Sequence, residues 1–490
     1  MLSRETANKA VMTVYAEGGT AERPVPEALH RQPVLDDEAA ATLTRYGATI
    51  EELYETPQDI EWALAGDEFF IVQSRPITAL PEPMADPPTD WSVPIPKGTY
   101  WRASIVEQMP DPLSPLFADL ASGSVPRSLD KLMEEFFGSG VFREGDVAFP
   151  TVNGYAYYYY SLGAFWRLLA KTPAAFRLLM GSGEGSGVMR WREYAQPRYA
   201  RTVEEWAAKP PEDLQANELL AGARKLLDAG TEYYTSVQTI IPLAYLSEAL
   251  FTTFYNRLVW REGDPPAQTF LLGFDSMPIR AEKSLYDLAT WSREHPGLAR
   301  TLAGTSSEQI LDLLGAEVPP SGVDTEEWRG WRSRFQSHLD RYGNTVYNLD
   351  FVNPVPADDP TPLFDTLRFY LRGEGQNPHE RQKGTATRRE EATKAVLERL
   401  DAPRGNLFSR LLEWAQGVAP VREDALADVG LAWPVMRRML LELGRRLVEA
   451  GAVEKPADAF WLGWDEIEDK VGSLDAGETQ LASLADSVEQ

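Results

Sequence analysis

Apolar residues recur every three or four positions over Met436–Val448: Met436, Met439, Leu440, Leu443 and Leu447 fall on one face, with Arg438, Glu442, Arg445 and Glu449 on the other. This spacing predicts an amphipathic helix, and Gly451 is placed to end it. Similar periods run through Leu219–Leu227, Thr239–Leu258, Leu285–Trp291, Trp328–Tyr342 and Glu390–Leu400, so most of the chain reads as helical. Phe149–Tyr160 departs from that rule. Val152, Gly154 and four consecutive tyrosines from Tyr157 predict a strand or hairpin there. Near the N-terminus, Asp36 or Asp37 opens a helix through Leu43 and Tyr46, which continues over Ile50–Tyr54 until Pro57. In residues 59–78 two β-prone runs flank Gly66-Asp67, the signature of a hairpin.

Residues 81–98 carry six prolines (Pro81, Pro83, Pro87, Pro88, Pro94 and Pro96) and almost no periodic apolar pattern, as an extended linker does. The expected fold class is therefore α+β. A small α/β piece over 1–80 is followed by the linker, a mainly helical domain over 99–470 and an acidic tail over 471–490. The first piece, of about eighty residues, is too small and open to be a complete fold by itself.

A length of 490 residues with 43% hydrophobic positions predicts two or three domains with real cores. The formal charge of −26 argues against nucleic acid or an anionic membrane as partner, because both would be repelled. Any phosphate site must then be locally basic. With no cysteine there is no disulfide, thiolate metal site or cysteine nucleophile. The first nine residues contain no apolar signal core, and no run is apolar enough to span a bilayer, so a cytoplasmic location is expected.

The 59–78 hairpin carries the candidate chemistry. Alternation puts Glu61 on one face of the first strand and Gln73 with Arg75 on one face of the second. A carboxylate and an amide oxygen suit a hard cation such as Mg²⁺, and an arginine fork suits phosphate oxygens. Residues opposite one another in an antiparallel pair have numbers of constant sum, so Glu61 faces Gln73 only across an odd loop, for example Gly66-Asp67-Glu68. A surface hairpin whose polar residues simply face water has the same pattern.

Gln58-Asp59-Ile60-Glu61-Trp62-Ala63 followed by Val72-Gln73-Ser74-Arg75-Pro76-Ile77-Thr78 resembles the end of the ATP-grasp domain of the phosphoenolpyruvate synthase and pyruvate phosphate dikinase family, which includes the rifampin phosphotransferases. Lys9, Gly18-Gly19, Pro24-Val25-Pro26 and Pro33-Val34-Leu35 follow the same order. The resemblance implies that Glu61 and Gln73 hold the metal on ATP and that Arg75 contacts its phosphates. Tyr342-Gly343 with Asp350, then Val421-Arg422-Glu423-Asp424, Met436–Gly451, Ala459-Phe460-Trp461-Leu462 and Asp465-Glu466 resemble the family's helical middle domain. Asn344 stands where the family has a histidine. In the family this region binds substrate or connects domains, and in rifampin phosphotransferases it forms the antibiotic pocket.

Two of the family's parts have no counterpart in the sequence. Its ATP-grasp domain supplies a nucleotide-gripping lysine and arginine before this point, and its phosphohistidine lies in a Gly-Gly and Ser-His-x-Ala-Ile context. His30, His295, His338 and His379 match none of it.

Other signals are weaker. Gly181–Gly187 lacks the lysine of a phosphate loop and reads as a flexible loop. Tyr155–Tyr160 fit a half-buried strand better than a stacking platform. Arg437, Arg438, Arg445 and Arg446 fit an ion-paired face around Glu442 better than a phosphate receptor. Asp350 and Arg422-Glu423-Asp424 fit structural hydrogen bonding and helix capping at least as well as a substrate cleft.

The resemblance implies a component or fragment of an ATP-dependent phosphotransferase, using Mg²⁺ with ATP and an unidentified small-molecule acceptor. It is expected to be inactive alone and completed by a separate chain carrying the missing parts. The alternative is a non-catalytic protein of the same descent that binds a small molecule or a partner.

Overall fold

The computed structural model describes residues 6, 11–16, 19–54, 57–66, 68–76, 89–103, 105–138, 140–179, 187–316 and 318–489. The chain divides into two compact units, Met1–Thr89 and Asp90–Gln490.

The first unit contains an antiparallel pair, β1 (Val11–Ala16) and β2 (Gly19–Pro24), then α1 (Asp37–Tyr54) and the hairpin β3 (Gln58–Ala65) with β4 (Glu68–Pro76). Asp36 starts α1 by accepting a hydrogen bond from the Ala39 amide at 2.8 Å, as an N-cap does. Along β3, Gln58, Ile60, Trp62 and Leu64 are half-buried, while Asp59, Glu61, Ala63 and Ala65 are exposed. The inner row reaches α1 through Phe69, whose ring lies 5.5 Å from Trp62 and 6.3 Å from Tyr46, edge to face. Among the residues of this unit whose exposure is described, Val25 alone is buried.

The second unit begins with β5 (Gly98–Trp101), α2 (Ile105–Gln108) and α3 (Pro115–Phe137). Four short strands follow: β6 (Val147–Ala148), β7 (Thr151–Val152), β8 (Tyr155–Ala156) and β9 (Tyr158–Ser161). They form a three-stranded β5-β9-β6 sheet and a β7-β8 hairpin, the strand region expected from the tyrosine run. Tyr158 and Tyr159 are buried. The helices come next: α4 (Leu162–Leu179), α5 (Gly187–Arg190), α6 (Gln196–Ala207), α7 (Ala216–Val237) and α8 (Ile240–Phe254), then α9 (Met277–Arg293), α10 (Pro296–Gly304), α11 (Ser307–Gly315), α12 (Thr325–Tyr342) and α13 (Thr361–Leu371). The last are α14 (Pro378–Arg399), α15 (Ala402–Ala427), α16 (Trp433–Glu449), α17 (Trp464–Asp475) and α18 (Ala485–Glu489).

The helix predicted over Met436–Val448 is α16, and its five apolar positions are fully buried. Gly451 ends it with φ of 76°, a conformation that favours glycine. At Gly444 a Cβ would meet the Pro456 carbonyl oxygen at 2.0 Å, so only glycine lets the 456–461 turn lie against α16. The main core joins α3, α7, α15, α16 and α17. A second core lies among α9 to α13, and a third gathers Phe251, Tyr255, Phe270 and Phe408.

Several helix starts are capped from distant helices. Asp424 in α15 accepts from the Met277 amide at the start of α9 (2.7 Å), Asp475 from the Ala216 and Asn217 amides of α7 (2.9 and 3.0 Å), and Asp119 from the Trp464 amide of α17 (2.8 Å). Each places a carboxylate where backbone N–H groups and the helix dipole are positive.

Three expectations meet a different arrangement. Residues 77–88 of the proline-rich segment lie outside the described residues, whereas 90–97 belong to the second unit: Trp91 stacks on Tyr155, and Ile95 exchanges hydrogen bonds with the Tyr100 hydroxyl. The acidic end is packed down, its Leu481 and Leu484 amides donating to Ala450 and Ala452 carbonyls at 2.8 Å. Arg437 is buried instead of lying on the ion-paired face; it donates to Asp358 at 2.6 Å and to the Phe351 carbonyl. Leu440 and Gly444, both buried, lie three and seven residues from Arg437 on the same face of α16, which puts Arg437 on the inner side. Residues 180–186, expected as a glycine-rich loop, lie outside the described residues.

Candidate functional site

In the β3–β4 hairpin Ala65 pairs with Glu68, Leu64 with Phe69, Ala63 with Phe70 and Trp62 with Ile71. The loop therefore holds two residues, Gly66 and Asp67, and not the three suggested by parity. Continued unchanged, this register would set Val72 against Glu61. A bulge at Val72 intervenes, and Glu61 pairs with Gln73, Ile60 with Ser74 and Asp59 with Arg75. One unpaired residue changes the constant sum by one and supplies the parity that the loop does not. Glu61 and Gln73 stand on the exposed row of the hairpin, and Arg75 pairs with Asp59, the next exposed position along β3. Gly66 takes φ of 64° in the turn.

Two oxygen-bearing side chains at directly opposed positions fit a cation that takes its other ligands from water and phosphate, the usual coordination of Mg²⁺. Among the described residues no group of three or more acidic or histidine side chains could form a metal cage by itself.

In the second unit the residues singled out by the sequence serve mainly as braces. Asp350 is buried and accepts from the Ser114 hydroxyl at 2.8 Å and from the Val352 amide at 3.1 Å, tying the segment after α12 to the start of α3. Burial pushes its carboxyl above the usual range, against the pull of those hydrogen bonds. Asp424 caps α9 and also receives Arg280 at 3.1 Å, while Arg422 pairs with its neighbour Glu423. Arg445 and Arg446 both hold Glu442. Asn344 donates to the Ala427 carbonyl at 3.3 Å.

A cleft of about 530 Å³ that sequence reasoning missed lies between α9 and α12. Arg280, Lys283 and Trp291 line it from α9, Arg334, His338 and Arg341 from α12. His338 is 3% exposed, its Nδ1 lies 3.0 Å from the Ser284 hydroxyl, and burial lowers its pKa to about 4, so the ring is neutral near pH 7. The available signal was the spacing of Arg334, His338 and Arg341, four and then three residues apart on one face of a helix already predicted.

A model of the pyruvate phosphate dikinase AMP/ATP-binding domain matches residues 1–91, and one of the rifampicin phosphotransferase fourth domain matches residues 239–423. A rifampicin phosphotransferase of a Streptomyces species is 28% identical over 499 aligned residues, covering 95% of this chain and 54% of the relative. The rifampicin phosphotransferase of Bacillus subtilis is 22% identical, over 94% of this chain and 54% of its own length. A probable phosphoenolpyruvate synthase of Archaeoglobus fulgidus is 40% identical over 72 residues, 15% of this chain and 10% of the relative. The chain thus spans about half the length of the full-length relatives it matches.

Proposed function

From a chain that is a relative of the phosphoenolpyruvate synthase, pyruvate phosphate dikinase and rifampicin phosphotransferase family, we propose that it serves as a component of an ATP-dependent phosphotransferase. Its first unit contributes contacts to Mg²⁺ with ATP, and its second unit receives a small-molecule acceptor. The observation that carries this reading is the bulge at Val72, which sets Glu61 directly against Gln73 within a segment matching the AMP/ATP-binding domain. An ordinary solvent-facing hairpin has no need of that correction, since bulges re-aim side chains at a cost in pairing.

Glu61 and Gln73 hold the metal from opposite strands, and Arg75 lies against phosphate oxygens. Bound there, Mg²⁺ with ATP supplies the phosphoryl group and neutralises part of its charge. The protein's share is orientation: the paired strands set two oxygen donors and one guanidinium position in register. A cation fixed beside a phosphoryl group favours the charge that develops during transfer.

The test combines this chain with the nucleotide-gripping half and phosphohistidine domain of a rifampicin phosphotransferase, and measures ATP cleavage and phosphohistidine formation. Glu61→Ala, Gln73→Ala and Arg75→Ala should each lower the rate, Arg75→Ala by about 100-fold or more. A reconstituted complex that cleaves ATP equally well with all three substitutions would defeat the reading.

A further inference from the structure

The α9–α12 cleft is basic in a chain of formal charge −26. Its lining includes Arg280, Lys283, Arg334 and Arg341 against a single carboxylate, Asp287, which is engaged with His379 at 2.8 Å. Arg280 is held by Asp424 and Lys283 by Asp275. Among the described residues Arg334 and Arg341 have no carboxylate partner within ion-pair distance. Arg334 lies over the Trp291 ring at 4.3 Å and Arg341 over Tyr342 at 5.6 Å. Both are exposed. Arg334 donates from Nη1 to the Gly330 carbonyl at 3.1 Å. A guanidinium carries several further N–H donors, so both arginines keep donors for an oxyanion while resting on an aromatic ring.

The spacing narrows the ligand. Seven residues on one helix separate the two Cα atoms by about 10 Å, more than a single compact anion covers without drawing both long side chains together. Lys283 stands on the opposite wall. The volume is that of a site for a small organic molecule. The uncharged His338 and Ser284 at the floor offer polar contacts without adding a carboxylate.

We infer that the α9–α12 cleft binds a small polyvalent phosphate compound, with Arg334 and Arg341 gripping its phosphates and Lys283 closing on them from α9. The inference rests on the second unit's own residues and holds whether or not the hairpin binds ATP.

The experiment is calorimetric titration of the full chain with inorganic pyrophosphate in the absence of divalent metal. One equivalent should bind, and the Arg334→Ala/Arg341→Ala double variant should weaken it at least tenfold. Both residues are exposed, so the variant should fold, which circular dichroism will verify. A charge-matched control, Arg300→Ala/Arg329→Ala, removes two exposed arginines elsewhere and should bind as the parent does. Arg75→Ala should also retain binding. No binding at millimolar pyrophosphate overturns the inference. So does an equal loss in the charge-matched control, which would mean diffuse attraction, or a loss in Arg75→Ala alone, which would put the ligand on the hairpin.

Discussion

At the scale of single residues, His338 ties stability to pH. Its folded pKa is about 4 against an unfolded value near 6.5, so between those values the unfolded chain binds the extra proton. Its contribution is complete above about pH 6.5 and is lost as pH falls towards 4, up to about 3 kcal/mol. Urea unfolding at pH 7 and pH 5 should therefore show a smaller pH dependence for His338→Gln than for the parent; equal slopes would remove the histidine from the account. Asp424 offers a second single-residue test. Replacing it with alanine strips the cap from α9 and frees Arg280, which should cost about 1–2 kcal/mol. Nothing in the sequence signalled the His338 environment, and Asp424 stayed open there between a cleft role and structural hydrogen bonding or capping. The partners of Asp424 could not be named from the sequence, because Met277 and Arg280 lie more than a hundred positions away.

At the scale of elements, periodicity served well where packing follows one face. The α16 stripe, the capped start of α1 and the tyrosine strands could be anticipated because burial and local geometry agree with sequence spacing. The hairpin shows where such reasoning stops: parity demanded an odd loop, and the fold met the demand by leaving Val72 unpaired within the strand. A bulge has no residue signature in this segment. Because the chain contains no cysteine, the register can be tested cleanly. Glu61→Cys with Gln73→Cys should oxidise to an intramolecular disulfide, since opposed residues have Cα atoms about 4.5–5.5 Å apart. Glu61→Cys with Val72→Cys should cross-link much more slowly, and the reverse order would show that the bulge is misplaced.

At the scale of the molecule, charge and construction govern behaviour. Carrying −26, the chain repels itself, and salt should stabilise it by screening. Raising sodium chloride from about 20 to 300 mM should increase the melting temperature, and a decrease would mean that ion pairs such as Arg437–Asp358 outweigh the repulsion. No helix among the described residues is long and apolar enough to cross a membrane.

Long-range capping also bears on how the helices form. Asp119, Asp424 and Asp475 reach helix starts 345, 147 and 259 positions away in sequence. Until tertiary structure is in place, the first turns of α17, α9 and α7 lack these acceptors, and a fragment containing one such helix loses its cap with the rest of the chain. In hydrogen exchange the amides of Met277, Ala216, Asn217 and Trp464 should then report remote docking, becoming labile together with the elements that carry their caps while amides in the middle of the same helices stay protected.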